Sequence, residues 1–517
     1  MAEQHDMVIV GGGHNGLVTA AYLAKAGYDV LVLERRYIVG GACVTEELFP
    51  GFKVSIAAQI GGLLKHKIVR DLNLEKFGYR LKPYDPQRMH LFPDGRYLQF
   101  WQDPAKTKSQ IENFSNKDAI AYLQFERLMD RLASIIKPLE LHPPPSLGEL
   151  EARFRGAGEE ESFRQVMFGT MKDFVDSRFE SEELKVAVAV RGMTGIAAGP
   201  MSPGSAYMML HYWPEPGVSW GGVPGGMGML TRALGQAAEY YGATIRTESE
   251  VARIIVSGEK ATGVELLDGS IIEAKVLASN ADPKRTFLNL LDPGYLDEGF
   301  RHQVAGIRTE GVAFNLHFAL DGLPEFKAYP GKGPGPQHNG IFWICPSIDS
   351  LERAWDDAKY GHASREPYLA GIIHSAMDPT VAPPGKHYMT VYGQWAPYHL
   401  RDSTWEIERD VYARHCIDVL ADYLPNLKDI IIDYQLLSPK DLEDRLYLTD
   451  GHMFHGESTV GQLFGFRPVP GWASYRTPIS HLYLCGAGTH PGGTVTGAPG
   501  HNAAQEIIND WREGIIE

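Results

Sequence analysis

Residues 7–17 read Met-Val-Ile-Val-Gly-Gly-Gly-His-Asn-Gly-Leu, and residues 28–34 read Tyr-Asp-Val-Leu-Val-Leu-Glu. An apolar run, a glycine turn, a small-residue helix (Leu17, Ala20, Ala21, Leu23, Ala24) and a second apolar run ending in an acid predict a β-α-β unit. Each residue type meets a need of a dinucleotide. Gly11 allows the tight turn, Gly13 lets the backbone approach a pyrophosphate, and Gly16 lets the helix pack close to the strand. His14 and Asn15 lie at the helix N-terminus, which offers unpaired N–H groups and a partial positive charge to phosphates. Glu34, 18 residues past Gly16, stands where a carboxylate can accept hydrogen bonds from ribose hydroxyls. FAD and NAD both carry an adenosine ribose, so this acid does not choose between them.

With 517 residues the chain is long enough for two interwoven domains. Forty-nine basic and 64 acidic residues leave a net charge of −15, which argues against nucleic acid as a partner because there is no basic excess to neutralise phosphates. The same balance argues against strong attraction to an anionic membrane surface. No run of 18 apolar residues predicts a membrane span, which leaves only transient membrane contact open. Cys43, Cys345, Cys416 and Cys485 are far apart and form no CxxC pair, which fits a reducing compartment. The first strand begins at Met7, leaving no room for a signal peptide, so the expected location is cytoplasmic.

Further along, residues 37–75 read as a glycine-dotted loop, and Met89–Phe92 with Arg96–Trp101 as a hairpin around Pro93-Asp94-Gly95. From 104 to about 190 the pattern is helical, with Tyr122, Phe125, Leu128 and Leu132 as a core stripe. Residues 191–229 are rich in Gly, Pro, Met and aromatics, which suits either an adaptable apolar cavity wall or ordinary core. A helix is expected at Leu230–Tyr241. Strands are expected at Thr244–Arg246, Val251–Val256, Gly263–Leu267, Ile271–Ala278, Val312–Leu320, Tyr368–His374 and Tyr388–Trp395, then a helix over 404–424. Gly331–Pro336 is a loop whose glycine spacing fails the strand-turn-helix test for a second phosphate cradle.

The far end carries a second signal. His481–Cys485 reads as a buried strand, residues 486–493 as a small-residue turn, and 498–512 as a helix with Pro499 in its favourable first turn. A glycine-rich strand-to-helix junction at each end suggests that the termini meet. One cofactor would lie between them, with its pyrophosphate at residues 11–16 and its reactive ring near 489–502.

Three blocks then resemble the phytoene desaturase-related family of FAD-dependent oxidoreductases, and within it the pyridine nucleotide-disulfide oxidoreductase domain-containing 2 branch. They are residues 8–17, Leu33-Glu34-Arg35-Arg36 with Gly40-Gly41-Ala42, and residues 482–493. Residues 454–457 with 462–464, and the mid-chain glycines 225–228, also look like that family. The resemblance implies an α/β architecture: a doubly wound, Rossmann-like FAD domain (1–75, 221–295 and 441–517) with an inserted mixed α+β substrate domain (76–220 and 296–440). It implies FAD as cofactor, a small, largely apolar substrate, and an electron acceptor that the sequence leaves unknown. It extends the cofactor contacts to Arg35, Gly40, Gly41, Gly488, Thr489 and Gly497, with Val251 meeting the adenine through its backbone. Ala487 departs from the acid that related amine oxidases carry there, which lowers amine oxidation to an alternative beside a non-catalytic binding role on the same fold. With neither a cysteine pair nor a second nucleotide cradle, disulfide reduction is not supported.

Catalytic side chains stay open at this level. His490 and His501 flank the expected flavin end, and His455 sits in the spacing His452-x-x-His455-x-Glu457, so each is a weak acid–base candidate. That spacing lacks the helical HExxH context of a metal site, and no metal is expected. Hydride transfer depends on positioning more than on a titrating group.

Overall fold

The computed structural model describes residues 3–215, 217–331 and 333–516, so the loop expected at Gly331–Pro336 includes one residue, Lys332, outside the described ones. Two seven-stranded sheets organise the chain. In the first, β1 (Glu3–Val10) leads through α1 (His14–Lys25) to β2 (Val30–Leu33). After a long excursion, α2 (Gly228–Tyr241) leads into β3 (Thr244–Arg246), β4 (Val251–Ser257), β5 (Lys260–Leu266) and β6 (Ile271–Ser279). β7 (Leu482–Leu484) and α3 (Ala498–Arg512) complete it.

The parallel core runs β7-β6-β1-β2-β3. β5 and β7 share one edge of β6: β5 pairs antiparallel near Ile271–Glu273, and β7 pairs parallel at Leu277–Ser279. β1 reaches further toward the N-terminus than its apolar run suggests. Its polar Glu3, Gln4 and His5 pair with Ile272, Glu273 and Ala274 through the backbone ladder, which asks nothing of the side chains. Met7, Ile9, Val30 and Val32 pack under α1, α2 and α3, while Val8, Val10, Leu31 and Leu33 face the cover formed by β4, β5 and residues 287–307. Because both faces are buried, the strands read as unbroken apolar runs instead of alternating ones. This is a doubly wound, Rossmann-like architecture.

The second sheet is mixed. Its strand order is Ile431–Leu437, Ala313–Leu320, His387–Gln394, Tyr368–Ile373, Ile341–Ile344, Arg88–Leu91, Tyr97–Phe100. Only Ile341–Ile344 beside Arg88–Leu91 is parallel. One face buries Phe314, Leu316 and Phe318 against the helix Trp405–Ala421. The other faces a helical layer that includes Asn116–Ile136, whose first turn is capped by the Ser115 hydroxyl accepting from the Asp118 N–H at 3.1 Å. Tyr122, Phe125 and Leu132 are buried in that layer, and Leu128 packs against it half-buried.

Within 37–75 the structure differs from the expected loop. Thr45–Phe49 and Phe52–Ser55 form a two-stranded hairpin, and His66–Asp71 is a short helix. The strands Ile341–Ile344 and Ile431–Leu437 and the helix Ile348–Lys359 are further elements that the sequence reading did not name.

Candidate functional site

At the end of β1, Gly11 takes φ +98°, a conformation that side chains rarely adopt, and the chain turns into α1. α1 has no side-chain cap and no acid in its first turn, so its N–H groups and dipole are open to an anion. Close approach is built in. A Cβ on Gly16 would lie 2.3 Å from the Gly11 carbonyl oxygen, and one on Gly41 would lie 3.2 Å from the Gly13 Cα. The Gly40 N–H donates to the Gly12 carbonyl at 2.8 Å, tying the second glycine loop to the first.

These loops form one wall of a cleft lined by Gly11, Gly13, His14, Asn15, Glu34, Arg35, Gly41 and Val251 among others. Glu34 accepts from the Gly12 N–H at 2.8 Å and the Arg36 N–H at 2.9 Å, so its carboxylate is fixed at the end of β2. Several cleft residues were not legible in the sequence. Arg35 stacks on the Tyr447 ring at 3.3 Å and Arg285 lies over the same ring at 4.4 Å, while the Tyr447 hydroxyl donates to Glu250 at 3.1 Å. Asn280 and Asp282 follow β6 on the floor. A polar residue directly after a buried strand was the available signal for these two; Tyr447 and Arg285 are joined only by the fold.

The cleft fits an elongated polar ligand. Residues that line it carry buried polar atoms without a hydrogen-bond partner: His14 Nε2, Asn15 Oδ1 and His455 Nδ1. Burial pulls both histidines down to about 4, and each therefore presents a neutral ring near pH 7.

A second cavity lies between the second sheet and the helical layer. Alternate residues of three strands line it: Ile341 and Trp343, Tyr368, Ala370 and Ile372, and Tyr392. From residues 191–229, Arg191, Thr194, Tyr212 and Trp220 join them, whereas Met193, Met208 and Met209 belong to the core. Met453 lines both cavities, and Phe454 and His455 then turn one to each side. The walls are also joined by the Ala58 N–H donating to the Ala42 carbonyl at 2.8 Å.

The remaining C-terminal residues stand behind the walls. A Cβ on Gly488 would lie 2.3 Å from Pro283 Cδ, the Thr489 hydroxyl donates to the Gly486 carbonyl at 2.9 Å, and Gly497 (φ +71°) packs against Ile68 and Leu64 at the start of α3. His490 and His501 line neither cavity. His490 Nε2 pairs with the Leu139 carbonyl at 3.3 Å, and His501 sits edge-on to Tyr22 and bonds Asn502 at 2.9 Å. The C-terminal end meets the cleft through Ala487 and the apolar cavity through Thr494 and Val495. Glu457 accepts from the Ala197 N–H at 2.8 Å, with His452 Nε2 3.9 Å away. Among the described residues no group of three metal-ligating side chains forms. All four cysteines are free and buried, with Cys43 and Cys485 pushed up to about 12 by burial, so no redox pair exists.

A Rossmann-like sheet whose glycine cradle opens into an apolar chamber defines a two-part dinucleotide-binding protein of the flavoprotein class. The chain belongs to the flavin containing amine oxidoreductase family, whose family model matches residues 16–508. Its cofactor is FAD, and the cradle and unpartnered polar atoms above fit it. Among relatives, it is 37% identical to the mouse (Mus musculus) pyridine nucleotide-disulfide oxidoreductase domain-containing protein 2, over 98% of this chain and 94% of that one. It is 29% identical to a limonene dehydrogenase component of Castellaniella defragrans, over 98% and 95%. It is 25% identical to a lycopene-forming phytoene desaturase of a Paracoccus species, over 97% of each.

Proposed function

We propose that this chain is an FAD-dependent oxidoreductase of the dehydrogenase, desaturase or isomerase type, acting on a largely apolar small molecule seated in the second cavity. The observation that carries this reading is the junction at Met453, where an aromatic chamber opens beside a dinucleotide cleft. Two relatives whose names specify limonene and phytoene chemistry support an apolar substrate.

FAD, when bound, supplies a two-electron acceptor. The chain's own contribution is positional. Main-chain N–H groups at residues 13–16 would hold the diphosphate, Glu34 would meet the ribose, and Val251 would meet the adenine. Trp343, Tyr368 and Tyr392 exclude water and orient the substrate. His455, neutral near pH 7, faces the cleft beside Met453. The FAD part spans 1–75, 221–295 and 441–517, joined by residues 296–307 that pack on its sheet, and the substrate part spans 76–220 and 308–440. A dehydrogenase or desaturase reaction needs a terminal electron acceptor, such as oxygen or a quinone, whereas an isomerisation needs none. Four unpaired cysteines support a cytoplasmic location. Amine oxidation, which the family's description supports, is the second reading.

The test is the visible spectrum of purified protein, followed by anaerobic titration with terpenoid hydrocarbons and with amines. A flavin band that bleaches with the former supports the proposal. Bleaching with amines alone transfers the assignment to the second reading. A colourless protein releasing no flavin on denaturation overturns both.

A further inference from the structure

Two guanidinium groups stand in the apolar chamber. Arg88 and Arg191 both line it, in company with Trp220, Trp343 and Tyr368. Arg88 is 5% exposed; it donates to the Tyr122 hydroxyl at 3.2 Å and lies over the Phe100 ring at 3.8 Å, and its Nε has no partner. Arg191 lies over Trp213 at 4.2 Å. Half-buried, Arg191 makes no direct ion pair or hydrogen bond among the described residues, and the carboxylates of Glu126 and Asp130 attract it without touching it. Glu126 accepts from the Tyr122 hydroxyl at 2.9 Å and Asp130 from the Trp213 indole N–H at 2.8 Å, and neither carboxylate lines the chamber.

Aromatic faces attract a guanidinium, but they do not supply a counter-charge or satisfy its N–H fork. A buried cation is ordinarily paired, and two of the same sign in one apolar chamber raise the cost of burial. Burial first, and then the charge of Arg88, pull Arg191 below the usual arginine range, yet it remains protonated at neutral pH. What the chamber lining lacks is an anion. A carboxylate matches the planar fork of guanidinium with two parallel hydrogen bonds.

We propose that the chamber takes an amphiphile: an apolar body lying along the aromatic walls, and a single carboxylate received by Arg191 and Arg88. This rests on the reading of the chamber as the substrate site and narrows its substrate to apolar carboxylic acids.

The test is equilibrium binding to the purified holoprotein of three probes sharing one tail: dodecanoate, 1-dodecanol and dodecylamine, each below its micellar concentration. Tryptophan fluorescence reports binding through Trp220 and Trp343, and the flavin absorbance of the same samples reports cofactor content. Dodecanoate should bind at least about tenfold more tightly than dodecanol, with dodecylamine weakest. Arg191→Gln should weaken dodecanoate about tenfold and leave dodecanol unchanged, and Arg191→Lys should recover part of the loss. Equal affinity for the three heads overturns the proposal. So does an Arg191→Gln protein that loses dodecanol and dodecanoate alike, since the arginine then only packs. Should that variant fail to fold, the head-group order in the unsubstituted protein still decides. A preparation without FAD would defeat the oxidoreductase reading while leaving the head-group order measurable. A flavin-loaded protein without carboxylate preference defeats this inference alone.

Discussion

Gly13 has no room for a side chain. A Cβ there would lie 2.6 Å from Asn280 Nδ2, and that amide is held by donating to the Gly11 carbonyl at 3.3 Å. Gly13→Val therefore intrudes on both Asn280 and the path of the diphosphate. Its flavin-to-protein absorbance ratio should fall to less than about a tenth of the parent value while the protein still folds. Full flavin occupancy in this variant would place the diphosphate elsewhere. The glycine cradle was legible because adjacent residues carry it and each glycine answers a local backbone demand. Tyr447 and Arg285 were not, because they lie 162 residues apart and nothing local marks either as the other's partner.

At the scale of elements, the carboxyl-terminal helix α3 is clipped to strand β7 by one buried acid. Asp510, 1% exposed, accepts from Arg476 Nε at 2.8 Å and from the Tyr483 hydroxyl. Asp510→Ala leaves both donors without this partner. Arg476 is 40% exposed and keeps its second partner Glu506, so the loss is that of charge-assisted hydrogen bonds and not of a fully buried pair, about 1.5–3 kcal/mol. Thermal unfolding should show a melting temperature several degrees lower, with flavin content per folded molecule unchanged because Asp510 lines neither cavity. An unchanged melting temperature would mean that the apolar contacts of α3 suffice. Long or locally punctuated elements were readable in advance: the β-α-β unit, the hairpin around Pro93-Asp94-Gly95, and the helix Trp405–Ala421. The hairpin at 45–55 and the four-residue strand Ile341–Ile344 were not. They are short, and neighbouring strands distant in sequence supply the pairing that makes Ile341–Ile344 a strand.

Across the whole molecule, burial has fixed many histidines in their neutral form. His14, His90, His211, His374, His455 and His490 are pulled down to about 4, and His317 to about 3. In the unfolded chain each titrates near 6.5. Between that value and about 4 the unfolded state holds more protons than the folded one, so stability is full above 6.5 and is lost as the pH falls below it. Each such histidine costs up to about 1.4 kcal/mol per pH unit in this window, and seven together approach the whole stability of an ordinary domain. Carboxylates act lower. Glu140, held down at about 2 by Lys137 and Lys65 despite its burial, loses its contribution only as the pH drops below the unfolded value near 4.5. The window from 6.5 to 4.5 therefore belongs to the histidines. The melting temperature should be nearly level from pH 8 to 7 and fall steeply between 6.5 and 5. His14 and His455 line the cleft, so released flavin fluorescence should rise over the same interval. A level melting temperature down to pH 5 would require that these rings gain protons in the folded state, and with them the water that the structure excludes.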